Sequence, residues 1–296
     1  MIKQNPFSLY DFLGYLIPGA TLIYIYLIID FINEKGNFEL ESFLKNIGDF
    51  EYEEFFIFVV IAYTLGHLLS FISSVTIERY GNWKYGYPSK YLLDLKKKNY
   101  FEKTQRKENE TEEDKKKRNN NKIRNRWRFV IGFFLFPMVL LDFLIGNIIG
   151  ISKSYEKGLD EFLKKSITIK VSKLLFKLKL TEQDNRDNFN PNNIDFHRIV
   201  THYAFENCKE HQFRMVNYVA LYGFLRNLAL IFIILFWIYF LLGLKSINCN
   251  LEINWVLFKI LIGLAIASFI SFMAFMKFYR RYTLEGLMLI VVDKDI

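Results

Sequence analysis

Residues 227–244 read NLALIFIILFWIYFLLGL, and residues 255–276 read WVLFKILIGLAIASFISFMAFM. The first stretch carries no charge and the second only Lys259, near its start, where a lysine can snorkel to the interface. At ~1.5 Å per residue the two reach about 27 Å and about 33 Å, enough to cross a hydrocarbon core of ~30 Å. A soluble chain disperses its apolar residues by period; this one concentrates them in blocks.

Three more blocks occur at 12–32, 55–77 and 129–151. Over 296 residues the chain is 52% hydrophobic and 18% aromatic, with a formal net charge of +8. An ordinary soluble enzyme is excluded. A secretory signal peptide is not expected, because the first block is too long and no small-residue cleavage site follows. Cys208 and Cys249 are too few for a disulfide framework. The expected fold is an all-α integral membrane protein. It has four spanning helices, one re-entrant or interfacial (or fifth spanning) segment, and helical cytoplasmic insertions.

Orientation follows from Lys and Arg in the loops. Residues 33–54 carry two bases against seven acids, whereas 78–128 carry seventeen bases against eight acids. The first loop is therefore expected outside, and the second inside together with the tail that opens on Lys277, Arg280 and Arg281. Block three conflicts with this pattern. If it spans, residues 153–179, with eight lysines against three acids, lie outside. Pro137, Asp142 and the Gly146–Gly150 spacing suit a re-entrant or interfacial pair of helices; the alternative is a fifth span that breaks the charge rule. The resulting division is a first transmembrane hairpin (1–77), a basic cytoplasmic linker (78–128), the segment 129–151, a cytoplasmic helical region (152–226), a second transmembrane hairpin (227–276) and a cytoplasmic tail (277–296).

Pro18 in the first block removes one backbone donor, so a neighbouring helix or water must satisfy the carbonyl it frees. Residues 99–126 hold too few apolar side chains to offset the entropy of ordering and are expected to be mobile or a solvated helix. Residues 153–180 interleave lysines with an apolar stripe, which suits a helix on an anionic leaflet or one packed in the cytoplasmic region. A turn-rich break at 181–195 ends in Asp195, a fair N-cap. From Phe196 the pattern stays helical into block four, which predicts one helix of about 45 residues with Gly223 its only weak point.

On that helix Arg198, His202, Glu206, Glu210 and Arg214 recur at i+4. Salt-bridged pairs are available to them, as is a metal site on His202 and Glu206 with His211. No second ligand pair occurs, so no metal is expected. No phosphate loop, nucleophile elbow, HExxH or CxxC is present, and no catalytic residue or cofactor is assigned. Lys164, Lys165, Lys173 and Lys177, with Arg198, His202, Glu206 and Arg214, are the candidates for ligand binding or gating. The ligand would be anionic: a nucleotide, an oligonucleotide or a lipid. In block two Ala62, Gly66, Ser70 and Ser74 share a face, and in block five Gly263, Ala267 and Ser271 do. Such faces allow close helix approach within or between subunits. His67 is an intramembrane ionisable group and a functional candidate for that reason.

Three strings occur together: YDFLGYLIPG at 10–19, Ile77-Glu-Arg79 with Gly86-Tyr-Pro-Ser89, and YVALYGFLRN at 218–227. With these the chain resembles bacterial polytopic membrane proteins of the antiviral-defence effector kind, the Hailong-type membrane effectors among them. The resemblance implies a homo-oligomeric channel in the bacterial inner membrane, restrained by a nucleotide-derived ligand; the loop charges place both termini on the cytoplasmic side. The other expectation is a membrane anchor or scaffold that recruits an operon-encoded partner enzyme through residues 78–226.

Overall fold

The computed structural model describes residues 8–35, 39–48, 52–95, 100–101, 111–150, 155, 157–180, 195–250 and 255–296. Among them the regular structure is entirely helical. Among the described residues four helices are long and apolar enough to cross a membrane, Leu9–Ile32, Tyr52–Tyr91, Lys209–Leu244 and Trp255–Val292, and the bent pair Glu112–Phe134 with Phe136–Ile148 would be a fifth if it counts as one span. The chain is a multi-pass helical membrane protein. Its contacts divide it into two units, one of residues 1–75 and 219–275 and the other of residues 76–218 and 276–296.

In the first unit a short α1 (Leu9–Asp11) opens on a capping box, in which Ser8 and Asp11 satisfy each other's backbone N–H groups. A π-helical turn, Phe12–Leu16, follows and leads into α2 (Ile17–Lys35). Pro18 lies just past this turn, where its missing N–H disturbs the ladder. After α3 (Leu40–Gly48), α4 (Tyr52–Ser73) packs against the first helix with almost no side chain between the backbones. A Cβ on Gly19 would collide with the carbonyl of Ala62, and one on Gly66 with the carbonyl of Tyr15. Only glycine permits that approach.

A π-helical turn, Ser74–Glu78, leads the chain into the second unit, followed by α5 (Arg79–Lys84) and α6 (Pro88–Tyr91). Next comes α7 (Glu112–Phe134), capped by Thr111 and carrying its three acids in the first turn, where the helix dipole favours them. Residues 112–126 of the charged linker are thus a solvated helix; 102–110 lie outside the described residues. At Leu135 the chain turns by 91° into α8 (Phe136–Leu141) and a π-helical turn, Asp142–Ile148. Pro137 cannot donate to Phe133 and suits the first turn of a new helix, so block three is a bent pair rather than a straight rod.

The core of this unit joins α9 (Glu161–Lys177) and α10 (Phe196–Asn207) to the start of α11 (Gln212–Asn250) and the end of α12 (Trp255–Val292). Ile167, Val171, Leu174 and Leu175 of α9 are buried against Phe196, Val200, Met215 and Leu287. Each such side chain contributes roughly 1.5–3 kcal/mol. Of the two arrangements the α9 stripe allowed, the packed one forms; Phe162, 77% exposed, points away from it. Of the break expected at 181–195, all but Asp195 lies outside the described residues.

The single helix expected from Phe196 onward does not form. It breaks at Cys208, with φ −100° and ψ 65°, and a 3-10 turn at Lys209–His211 precedes α11. The Gln212 amide covers a carbonyl this exposes, donating to Phe205 O at 2.6 Å, and Asn207 Nδ2 donates to Tyr203 O at 2.9 Å within the last turn. Gly223, the expected weak point, continues the helix.

Candidate functional site

The first unit holds a chain of buried polar groups between its apolar helices. Arg226, on α11, is 6% exposed; its Nε donates to Ser73 Oγ at 3.0 Å and its Nη2 to Ser70 Oγ at 3.2 Å. Ser73 Oγ in turn donates to Asn227 Oδ1 at 2.5 Å, and Asn227 Nδ2 donates to the carbonyl of Gly14 at 2.8 Å. Gly14 is the residue four before Pro18, in the π-helical turn, so its oxygen is the one a regular helix would have paired with residue 18. The carbonyl freed by the proline is satisfied by a neighbouring helix. In a low-dielectric interior, such a network holds three helices in one register, because each unpaired member costs about 1–3 kcal/mol.

Beside it, Tyr15 stacks on His67 with ring centroids 3.8 Å apart, and Tyr63 meets the same imidazole edge-on at 4.6 Å. Tyr15 OH donates to Tyr10 OH at 3.2 Å. His67 itself is exposed on α4. Of the small-residue face on that helix, Ala62 and Gly66 are occupied by the first helix of the same chain. Ser70 receives Arg226, and Ser74 donates to Phe71 O at 2.7 Å. In block five Ser271 is buried and Ala267 half-buried, whereas a Cβ on Gly263 would meet nothing.

The second unit has its own buried cluster. Asp142 is fully buried and accepts from Tyr80 OH at 2.6 Å, from Tyr85 OH, and from Lys84 Nζ at 2.7 Å. A Cβ on Gly146 would lie 2.7 Å from Asp142 Oδ1, so glycine leaves the room that the carboxylate fills. On α7, Arg128 donates to Tyr100 O and lies 5.3 Å from the Trp83 ring centre, while Tyr100 OH donates to Arg128 O at 3.1 Å. Burial pushes the Tyr100 phenol to about 12, against a smaller downward pull from Arg128. These contacts fix α5 to both arms of the bend.

The gating candidates do not form one site. Lys164 Nζ binds Asp94 and lies 2.8 Å from Glu161 Oε1; these hydrogen bonds raise its pKa, and its charge is paired. Lys177 donates to Asp295 O at 2.9 Å, and Lys165 and Lys173 are exposed. Arg198 pairs with Asp195 at 3.1 Å, an ion pair made where a cap bond was expected. His202 and Glu206 are exposed and share no hydrogen bond or ion pair among the described residues. The helix break takes Arg214 out of the i+4 series; it and His211 instead meet Glu285, at 3.4 Å and 3.1 Å. Among the described residues no group of three or more His, Cys, Asp or Glu could hold a metal ion.

Residue patterns missed the seam and the carboxylate cluster as units. Each had one signal: Pro18 announced an unpaired carbonyl, and Asp142 was an acid inside an apolar block. The partners, Asn227, Ser73, Tyr80, Lys84 and Tyr85, are distant in sequence and carry no spacing signature. Comparisons with protein-family models, curated proteins and solved structures found no match to this chain.

Proposed function

We propose that this chain is a subunit of a homo-oligomeric membrane effector, an ion channel gated from its cytoplasmic side and belonging to bacterial antiviral defence. The observation that carries the channel reading is the seam Arg226–Ser73–Asn227–Gly14, set against a π-helical, proline-disturbed first helix. Irregular backbone in a membrane helix and a buried arginine at the entrance to another are costly, and such features mark transport pathways. His67 adds to this. An exposed imidazole on a membrane helix is costly against lipid and needs a second copy of the chain or an aqueous lumen beside it. The loop charges support both termini inside, with the 91° pair acting as a re-entrant or interfacial element.

Purified protein in liposomes tests this. Wild type is expected to run as an oligomer and to pass ions, with Arg226→Gln and His67→Leu each changing the flux. A monomer that leaves the membrane tight would overturn the channel reading and leave the anchor for a partner enzyme.

A further inference from the structure

After Asp114, α7 carries eight bases and no acid, and then becomes wholly apolar from Phe129. One open groove on this helix is lined by Lys122, Asn125 and Arg126 at one end and by Phe129 and Val130 at the other. The spacing i, i+3, i+4, i+7, i+8 puts all five on one face. Lys122 and Arg126 are exposed and meet no acid among the described residues. Trp127 beside them is 62% exposed and Phe129 68%. From Lys122 to Phe129 the helix advances about 10 Å, close to the ~5–8 Å over which one leaflet passes from headgroup to hydrocarbon.

We propose that this groove binds an anionic phospholipid, its phosphate held by Lys122 and Arg126 with the Asn125 amide, and its first acyl carbons on Phe129 and Val130. Charge complementarity selects an anion, and the apolar continuation selects a lipid over a nucleic acid. Past the bend the exposed surface is still apolar, at Phe136, Leu140, Phe143 and Leu144, which suits hydrocarbon and not a polyanion groove. The paired Lys164 and the buried stripe of α9 make that helix the poorer lipid site. The inference rests on the chain's being a membrane protein and stands whether or not it conducts ions.

The full chain in detergent, offered equal phosphatidylglycerol and phosphatidylcholine, is read by native mass spectrometry. Lys122→Gln with Arg126→Gln is expected to lower the preference for phosphatidylglycerol roughly tenfold or more, at about 1 kcal/mol per cation. Lys115→Gln with Lys116→Gln, on the same helix outside the groove, is expected to leave it unchanged. Brominated phosphatidylglycerol should quench a chain retaining only Trp127, and inorganic phosphate or a short oligonucleotide should not relieve the quenching. Equal preference in wild type and both variants, equal loss in both variants, or relief by either soluble competitor would each overturn the proposal. Elution volume shows that the variants remain folded.

Discussion

Asn227 donates its side-chain amide to the carbonyl oxygen of Gly14 at 2.8 Å, across 213 positions of sequence. That oxygen is the acceptor that Pro18 cannot serve, so a defect made by one membrane helix is repaired by another. The same amide accepts from Ser73, which itself accepts from Arg226. Asn227→Leu therefore strands Gly14 O and weakens Ser73. A loss of about 1–3 kcal/mol is expected in reversible unfolding in mixed micelles. In a double-mutant cycle Ser73→Ala and Asn227→Leu should couple; strict additivity would mean that the seam is not one network.

Gly66→Leu is expected to disrupt the chain's own fold, because the glycine is filled by the Tyr15 carbonyl of the first helix. Overpacking of this kind costs about 1–3 kcal/mol or more. Gly263→Ala, where a Cβ meets nothing, should leave unfolding unchanged. If Gly263→Ala nonetheless alters the oligomer on light scattering, block five carries the contact between subunits.

Asp142→Asn removes the charge that Lys84 and two phenols share. Breaking a buried ion pair costs roughly 3–5 kcal/mol, so a large fall in thermal midpoint is expected. Lys84→Met should recover less than the full loss when added to Asp142→Asn, since one of the two phenols then faces an amide NH2 in place of an acceptor oxygen. Proteolysis near Leu135 should rise in Asp142→Asn if the cluster holds the bend.

His197 gives a pH dependence of known sign. Burial lowers its pKa from the usual ~6.5, with Asp195 pulling more weakly the other way. Between that lowered value and ~6.5 the unfolded chain binds the proton more readily than the folded one, so stability falls as pH drops through that range and levels off below it. His197→Phe should flatten this part of the curve. Thermal unfolding of both proteins between pH 8 and pH 5 provides the comparison, and parallel curves would show that His197 is not the source.

The membrane architecture was legible because crossing a bilayer is a local demand: about twenty apolar residues in a row satisfy it whatever lies beside them. Residues 227–244 and 255–276 meet it by composition alone, and Pro18 and Pro137 announced their irregularities for an equally local reason, a missing N–H. What the α9 stripe would face was undecided, since lipid and protein core ask for the same apolar pattern, and only the packing of Ile167 and Leu174 resolved it. The break at Cys208 was hidden too. Neither Asn207 nor Gln212 forms a recognised stop signal, and the Gln212 amide reaches back seven residues to Phe205 O only once the chain has bent at Cys208. The seam and the Asp142 cluster belong wholly to tertiary structure. A hydrogen bond has no sequence period, and Ser73 with Asn227, or Tyr80 with Asp142, become partners only when helix packing has removed the water they would otherwise bind.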